Sequence, residues 1–326
     1  MIQGIVKWGI IGCGDVTEVK SGPAFQKVDN SELIAVMRRN GEKAADYAKR
    51  HHVPKWYDDA AALINDPDIN AIYIATPPSS HAEYAIKTMK AGKPVYVEKP
   101  MAMNAEECEQ MVNSSQETGM PLFVAYYRRA LPMFVKLKGL IDMNAIGDVK
   151  MINLILHWTA KPEELDGSAG WRVDPSISGG GHFHDLAAHQ LDYLEYVFGP
   201  IKEVKGLATN QAGLYQVEDA VTAVFQFDSG LMGTGSWCFT VPEKQTSDVT
   251  EIIGSKGRIS FSFFSNTVLH IETETMVENF DIPHPNHVHQ PLVDLVVKEL
   301  RGEGICPSTG ETGMRASMLM DKIVGK

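Results

Sequence analysis

Between residues 6 and 125 short apolar runs alternate with segments of helical period, and that alternation leaves few folds open. The runs are Val6 to Ile11, Leu33 to Met37, Ala71 to Ala75, Val95 to Val97 and Leu122 to Ala125. Between them lie helical patterns across Val16 to Val28, Gly41 to His51, His81 to Ala91 and Ala105 to Thr118. Strands separated by helices of that length pair in parallel through right-handed crossovers, so the region reads as a doubly wound α/β domain. Ligands of such sheets bind at the carboxyl ends of the strands.

Four of those strand ends carry chemistry. The first strand runs into Gly12-Cys13-Gly14-Asp15-Val16-Thr17, a G-x-G-x-x-G/A turn with Thr17 in last place. Its glycines permit a tight turn and close backbone approach, so amides at the helix start can face a pyrophosphate; a plain strand-to-helix turn is the alternative. Thr17 predicts looser helix-strand packing than Gly or Ala. The second strand ends in Arg38-Arg39 where a carboxylate would hold an adenosine ribose. Guanidinium forks bind a 2′-phosphate, which predicts NADP over NAD, with NAD still possible and a solvated basic pair the other reading. Thr76-Pro77-Pro78-Ser79-Ser80-His81 closes the next strand, placing Thr76, Pro77 and His81 at the cofactor edge, His81 as a structural hydrogen-bonding residue there. Val97-Glu98-Lys99-Pro100 then puts Glu98 and a directed lysine on the same edge.

Far downstream, Gly179-Gly180-Gly181 leads into a helical pattern from about His182 to Phe198. Asp185 and His189, four apart, share a helical face, while Ala187, Leu191, Leu194 and Phe198 form an apolar stripe. The helix is expected to fix that stripe in a core while Asp185, His189 and Asp192 look elsewhere. Acid/base work is one use of the pair. An ordinary amphipathic helix, or a metal site from His182, His184, Asp185 and His189, is the rival.

From about Gly147 the pattern turns β-rich, with runs over 149–158, 204–209, 220–227, 231–239, 249–253, 259–264 and 268–273. Short turns at Asp228-Ser229-Gly230 and Ser255-Lys256-Gly257 imply antiparallel hairpins and a large open, mostly antiparallel sheet with one face under the 182–198 helix. Two helical patterns, 291–301 and 311–324, close the chain. The division expected is 1–125 and 126–326.

Composition narrows the partners. A net charge of −11 over 326 residues argues against nucleic acid. Cys13, Cys108, Cys238 and Cys306 show no close pairing, which predicts free thiols in a reducing compartment. The run Ile5 to Ile11 contains Lys7, follows no basic segment and ends in glycines, so no signal peptide is expected. No apolar run reaches spanning length, so the expectation is a cytoplasmic protein without a membrane partner.

The GCG turn, the Thr-Pro-Pro segment with its His, Ala91-Gly92-Lys93-Pro94-Val95-Tyr96-Val97-Glu98-Lys99-Pro100 and the Gly179 to His189 segment occur in that order. In this the chain resembles the glucose-fructose oxidoreductase / inositol dehydrogenase / MocA family of NAD(P)-dependent oxidoreductases, along essentially its whole length. Ala187 stands where that family commonly has glycine. The resemblance implies a Rossmann domain followed by an α+β domain. It implies Lys99 near the reacting hydroxyl and nicotinamide, His189 as general acid/base and Asp185 as the carboxylate paired with them. Tyr126 and Arg128 match a segment near the substrate, Trp171 and Arg172 one bordering the pocket. A sugar or polyol substrate and a homodimer or homotetramer built through the second sheet follow from the same likeness; no metal is expected, because the three glycines, Lys99 and the dinucleotide turn already account for the site. A dinucleotide-binding sensor or repressor and an NAD-dependent glycosidase are the other activities found among such proteins.

Overall fold

The computed structural model covers residues 1–326. In chain order it begins β1 (Val6–Ile11), α1 (Asp15–Val19), β2 (Ser31–Met37), α2 (Gly41–Arg50), β3 (Lys55–Tyr57), α3 (Ala60–Ile64), β4 (Ala71–Ile74), α4 (His81–Lys90), β5 (Val95–Val97), α5 (Ala105–Thr118) and β6 (Leu122–Val124). There follow α6 (Pro132–Asp142), β7 (Val149–His157), α7 (Pro162–Leu165), α8 (Pro175–Ser178), α9 (His182–Phe198), β8 (Ile201–Thr209), β9 (Ala220–Phe227) and β10 (Met232–Cys238). The chain ends with β11 (Ser247–Gly254), β12 (Gly257–Phe261), β13 (Val268–Thr273), β14 (Val277–Asp281), α10 (Gln290–Arg301) and α11 (Gly310–Val324).

Two compact units result, Met1–Arg129 with Pro285–Ser317 and Ala130–His284 with Met318–Lys326. The first departure from a single cut at 125/126 is therefore the tail, most of which returns to the nucleotide half. Its reason is a main-chain one. Val124 N–H donates to Ser308 O, Ser308 Oγ donates back to Val124 O, and Phe123 bridges Thr309, so the tail satisfies the open edge of β6.

The first unit holds six parallel strands in the order β3-β2-β1-β4-β5-β6, which reverses direction between β1 and β4. All four residues of β4 and all three of β5 are buried, as strands covered on both faces should be. The helix expected over 16–28 stops at Val19 and a 3-10 turn occupies Gly22–Gln26. Pro23 removes an amide, and Gly22 lies so near Thr17 O and the Tyr47 hydroxyl that a β-carbon there would meet them at 2.2 and 2.3 Å. The strand β3 and helix α3 were not expected; each is five residues or fewer, too short to show a period.

The second unit is an eight-stranded sheet in the order β14-β13-β12-β11-β7-β10-β9-β8. Every pairing is antiparallel except β10 with β7, where Met232 to Cys238 run alongside Met151 to His157. On the inner face Trp237 lies over Gly235, whose β-carbon would sit 2.2 Å from the indole, and donates its Nε1–H to Gln190 Oε1 on α9 at 2.7 Å. Phe183 of α9 meets the same indole edge-on at 5.0 Å. The outer face carries Met151, Ile155, Val224, Met232 and Val249, all exposed.

Candidate functional site

In the first unit the candidate residues lie where β1, β2, β4 and β5 end. Gly12 has φ of +94°, and a β-carbon there would come within 2.8 Å of Thr76 N, so the β1 and β4 turns touch through a residue that must be glycine. Gly14 is extended and opens α1 with no side-chain cap. A β-carbon on it would meet nothing nearer than 3.9 Å. Amides not taken up by a capping side chain, above a glycine with room over it at the sheet's reversal point, fit a dinucleotide pyrophosphate. Asp15 is exposed and Val16 half-buried. Thr17 is buried with its hydroxyl donating to Gly14 O at 2.7 Å, so the extra methyl and hydroxyl are absorbed within the turn. Arg38 reaches back from the end of β2, its Nη1 3.4 Å from Cys13 O, while Arg39 is exposed.

Beneath these turns lies a buried polar cluster. Glu98 Oε1 accepts from the Tyr73 hydroxyl and Oε2 from the Lys99 amide at 3.2 Å. Burial raises the Glu98 pKa, against the pull of Tyr73 and the Lys99 charge. His289 Nε2 stands 3.5 Å from Glu98 Oε1, and its Nδ1 is 3.2 Å from the Tyr96 hydroxyl. Burial pushes His289 down to about 3, aided by Lys20, Lys99 and Arg128, so the imidazole is neutral and the contact with Glu98 is not an ion pair. Tyr96 donating to Nδ1 with the proton on Nε2 is the tautomer that suits both neighbours.

Two residues assigned to cofactor binding are turned inward. His81 is fully buried, with Nδ1 3.0 Å from Pro100 O and Nε2 2.6 Å from Thr76 O, so its ring ties the β4 turn to the β5 turn. Glu98 spends its oxygens as described, and both residues hold the cofactor edge from below. Thr76 and Pro77 remain partly exposed, Thr76 Oγ1 accepting from Ser80 Oγ at 2.8 Å. Lys99 is half-buried and precedes a cis Pro100. Tyr126 and Arg128 are buried, the Arg128 guanidinium 5.2 Å from the Tyr127 ring centre.

In the second unit the expected helix spans His182–Phe198 as read, but it has no outward face. Thirteen of its seventeen residues are buried, His189 and Asp192 among them, so the apolar stripe is only part of a helix packed on nearly every side. Asp185 is half-buried, and Arg172 Nε lies 3.6 Å from its Oδ2. Trp171, half-buried beside it, has the Arg172 guanidinium 4.7 Å from its ring.

The helix start is clamped by carboxylates that no local pattern revealed. His182 Nε2 meets Glu164 Oε1 at 2.5 Å, both side chains buried. His184 Nδ1 meets Glu218 Oε1 at 3.1 Å, and Nε2 stands 3.6 Å from Asp321 Oδ1, an ion-pair distance. Burial opposes the His184 charge, the two carboxylates outweigh it, and the pKa is raised; burial likewise opposes the Glu218 charge, which His184 restores, lowering its pKa. Gly180 is the counterpart of this clamp, since a β-carbon would fall 2.0 Å from His184 Nδ1. With His182 and His184 committed in different directions, no group of three or more His, Cys, Asp or Glu side chains assembles in metal-binding geometry. All four cysteines are free thiols, and burial pushes Cys13 up to about 11. No helix is long and apolar enough to cross a membrane.

Comparison with known proteins gives the geometry its context. Residues 6–126 match the model of an oxidoreductase family with an NAD-binding Rossmann fold, and residues 134–260 the model of the GFO/IDH/MocA C-terminal domain. Oxidoreductase P35 of Formosa agariphila is 40% identical over 323 residues, 98% of each chain. The trans-1,2-dihydrobenzene-1,2-diol dehydrogenase of Bos taurus is 27% identical over 77% of this chain and 72% of its own. Among solved structures, a levoglucosan dehydrogenase in complex with NADH and levoglucosan superposes with a TM-score of 0.86 at 22% identity, covering 98% of this chain and 96% of its own, a likeness of fold.

Proposed function

Because this chain belongs to the GFO/IDH/MocA oxidoreductase family, we propose that it moves a hydride between a nicotinamide dinucleotide and a hydroxyl or carbonyl carbon of a sugar, polyol or related small carbonyl compound. The observation carrying this reading is that Asp185 and His189 rise from one clamped, buried helix, while Lys99 follows β5 at the same sheet edge as the glycine turn that ends β1, one strand removed from it. When bound, the nicotinamide accepts or gives the hydride. His189 takes the hydroxyl proton as the carbinol is oxidised, or returns it in the reverse direction, a task suited to an imidazole. The Lys99 ammonium donates to the oxygen on which negative charge grows. Asp185 orients and tunes these partners, and Tyr126, Arg128, Trp171 and Arg172 hold the substrate.

The preference is NADP. Arg38, laid against the carbonyl of Cys13, offers a guanidinium at the end of β2, and no carboxylate stands there to repel a 2′-phosphate. Four free cysteines accord with a cytoplasmic, reducing setting. The outer sheet face, apolar at its centre, supports a homodimer or homotetramer assembled through it. Fluorescence titration with NADPH and NADH, followed by turnover with a panel of sugars and polyols using the tighter cofactor, tests the whole reading. Failure to bind either dinucleotide would end it.

A further inference from the structure

The segment from Ala160 to Ser178, which carries Trp171 and Arg172, crosses the start of α9 with little apolar anchorage. Within 161–178 only Glu164, Val173 and Ser178 are buried, and Leu165 is 65% exposed. Its ion pair with α9, Arg172 to Asp185, is long and the arginine half exposed, a contact of small worth in water. Besides buried Val173 and the Ser178 hydroxyl, which donates to Gly180 O, the strap is held by one buried carboxylate. Glu164 Oε2 accepts the Lys161 amide at 3.0 Å, closing the first turn of α7, and Oε1 accepts His182 Nε2–H at 2.5 Å. The imidazole is itself wedged between aromatic rings, 5.3 Å from Phe239 and 5.9 Å from Tyr215. A short, dry hydrogen bond to a carboxylate is among the stronger polar contacts a loop can have.

We propose that Glu164 and His182 are positioning residues that latch the 161–178 strap to α9, fixing Trp171 and Arg172 relative to Asp185 and so governing how tightly substrate is held. The proposal rests on the dehydrogenase reading above, in which Asp185 serves the reaction. Neither Glu164 nor His182 takes part in that chemistry. Releasing the latch frees the strap while leaving the nucleotide unit, and His189 two turns along the helix, as they were.

The test uses the full chain with Glu164→Gln, Glu164→Ala and His182→Gln. Trypsin cleavage after Arg172, followed by peptide mapping, reads the strap without any substrate. Cleavage is expected to quicken about tenfold in Glu164→Ala and His182→Gln and by less in Glu164→Gln, whose amide oxygen still accepts from the imidazole. KM for the best substrate is expected to rise about tenfold, with kcat within about threefold of the parent and NADPH affinity unchanged. Unchanged cleavage in both stronger variants overturns the latch, and so does a parallel loss of NADPH affinity, which would mark general loosening. Should Glu164→Ala fail to fold, Glu164→Gln and His182→Gln decide. Faster cleavage in a protein that oxidises no sugar or polyol would uphold the latch and sink the dehydrogenase reading, so the two failures are told apart.

Discussion

Gly180→Ala probes the clamp on α9 more sharply than any charged substitution. The added methyl would lie 2.0 Å from His184 Nδ1 and 2.3 Å from Cγ, so the ring must leave its seat. With it go the 3.1 Å contact to Glu218 and the 3.6 Å approach to Asp321, carboxylates of 13% and 11% side-chain exposure. Breaking a buried pair in this way costs about 3–5 kcal/mol, and partial solvent access to the carboxylates brings that to about 3. For a unit of this size each kcal/mol moves the midpoint by roughly 2–4 °C, so calorimetry should show the transition of the second unit falling by about 6–12 °C. Gly139→Ala is the control. It lies inside α6 with nothing within 4 Å of a new β-carbon, and should gain about 0.5–1 kcal/mol from helix propensity. A drop under about 2 °C for Gly180→Ala would show that the ring has another berth and that the clamp is not what requires glycine.

The same clamp has a pH signature. His184 has a raised pKa, so its contribution is complete below the unfolded value of about 6.5 and is lost as pH rises through the folded value; Glu218, lowered, loses its share as pH falls through its own. The gap in Tm between parent and Gly180→Ala should thus narrow from about pH 6.5 upward, and a gap that stays flat to pH 10 would contradict it. Arg38→Asp should weaken NADPH about 100-fold or more and NADH by a few-fold at most, read by fluorescence titration; equal losses would remove the NADP assignment. Lys99→Met and His189→Ala should each lower kcat by about 10²–10⁴ while cofactor affinity holds, and turnover retained in either would move the chemistry elsewhere. Ile155→Glu, at the middle of the outer sheet face, should shift the mass by light scattering from oligomer to monomer; a parent already monomeric would dismiss assembly through that face.

Periodicity carried the parallel sheet, the strands of the second unit up to residue 273 and the bounds of α9, because each presents a repeat over several residues. It could not show β3 or α3, which are too brief to have a period, nor β14, whose Val277-Glu278-Asn279-Phe280-Asp281 is mostly exposed and polar. The candidate site was legible only as residue types. Gly12, Gly14, Lys99, Asp185 and His189 were marked by residue type beside a turn or on a helix face. What escaped were partners distant along the chain: Glu164, Glu218 and Asp321 look like any surface carboxylate until His182 and His184 are seen against them. Glu98, placed at the cofactor edge, turns inward because a strand-end position does not say which way a side chain points, whereas His81 has the structural hydrogen bonds expected of it.

The arrangement of β7 has a consequence for how the polypeptide matures. That strand is central to its sheet, yet both neighbours lie far downstream: Asn153 accepts from Thr234, 81 positions on, and His157 pairs with Ser247. The nucleotide half waits as well, because β6 is edged by Thr309 and the Ile2 amide by Leu300. During synthesis neither sheet can be completed until partners far along the chain have left the ribosome, and pairings of such long range form more slowly than local ones.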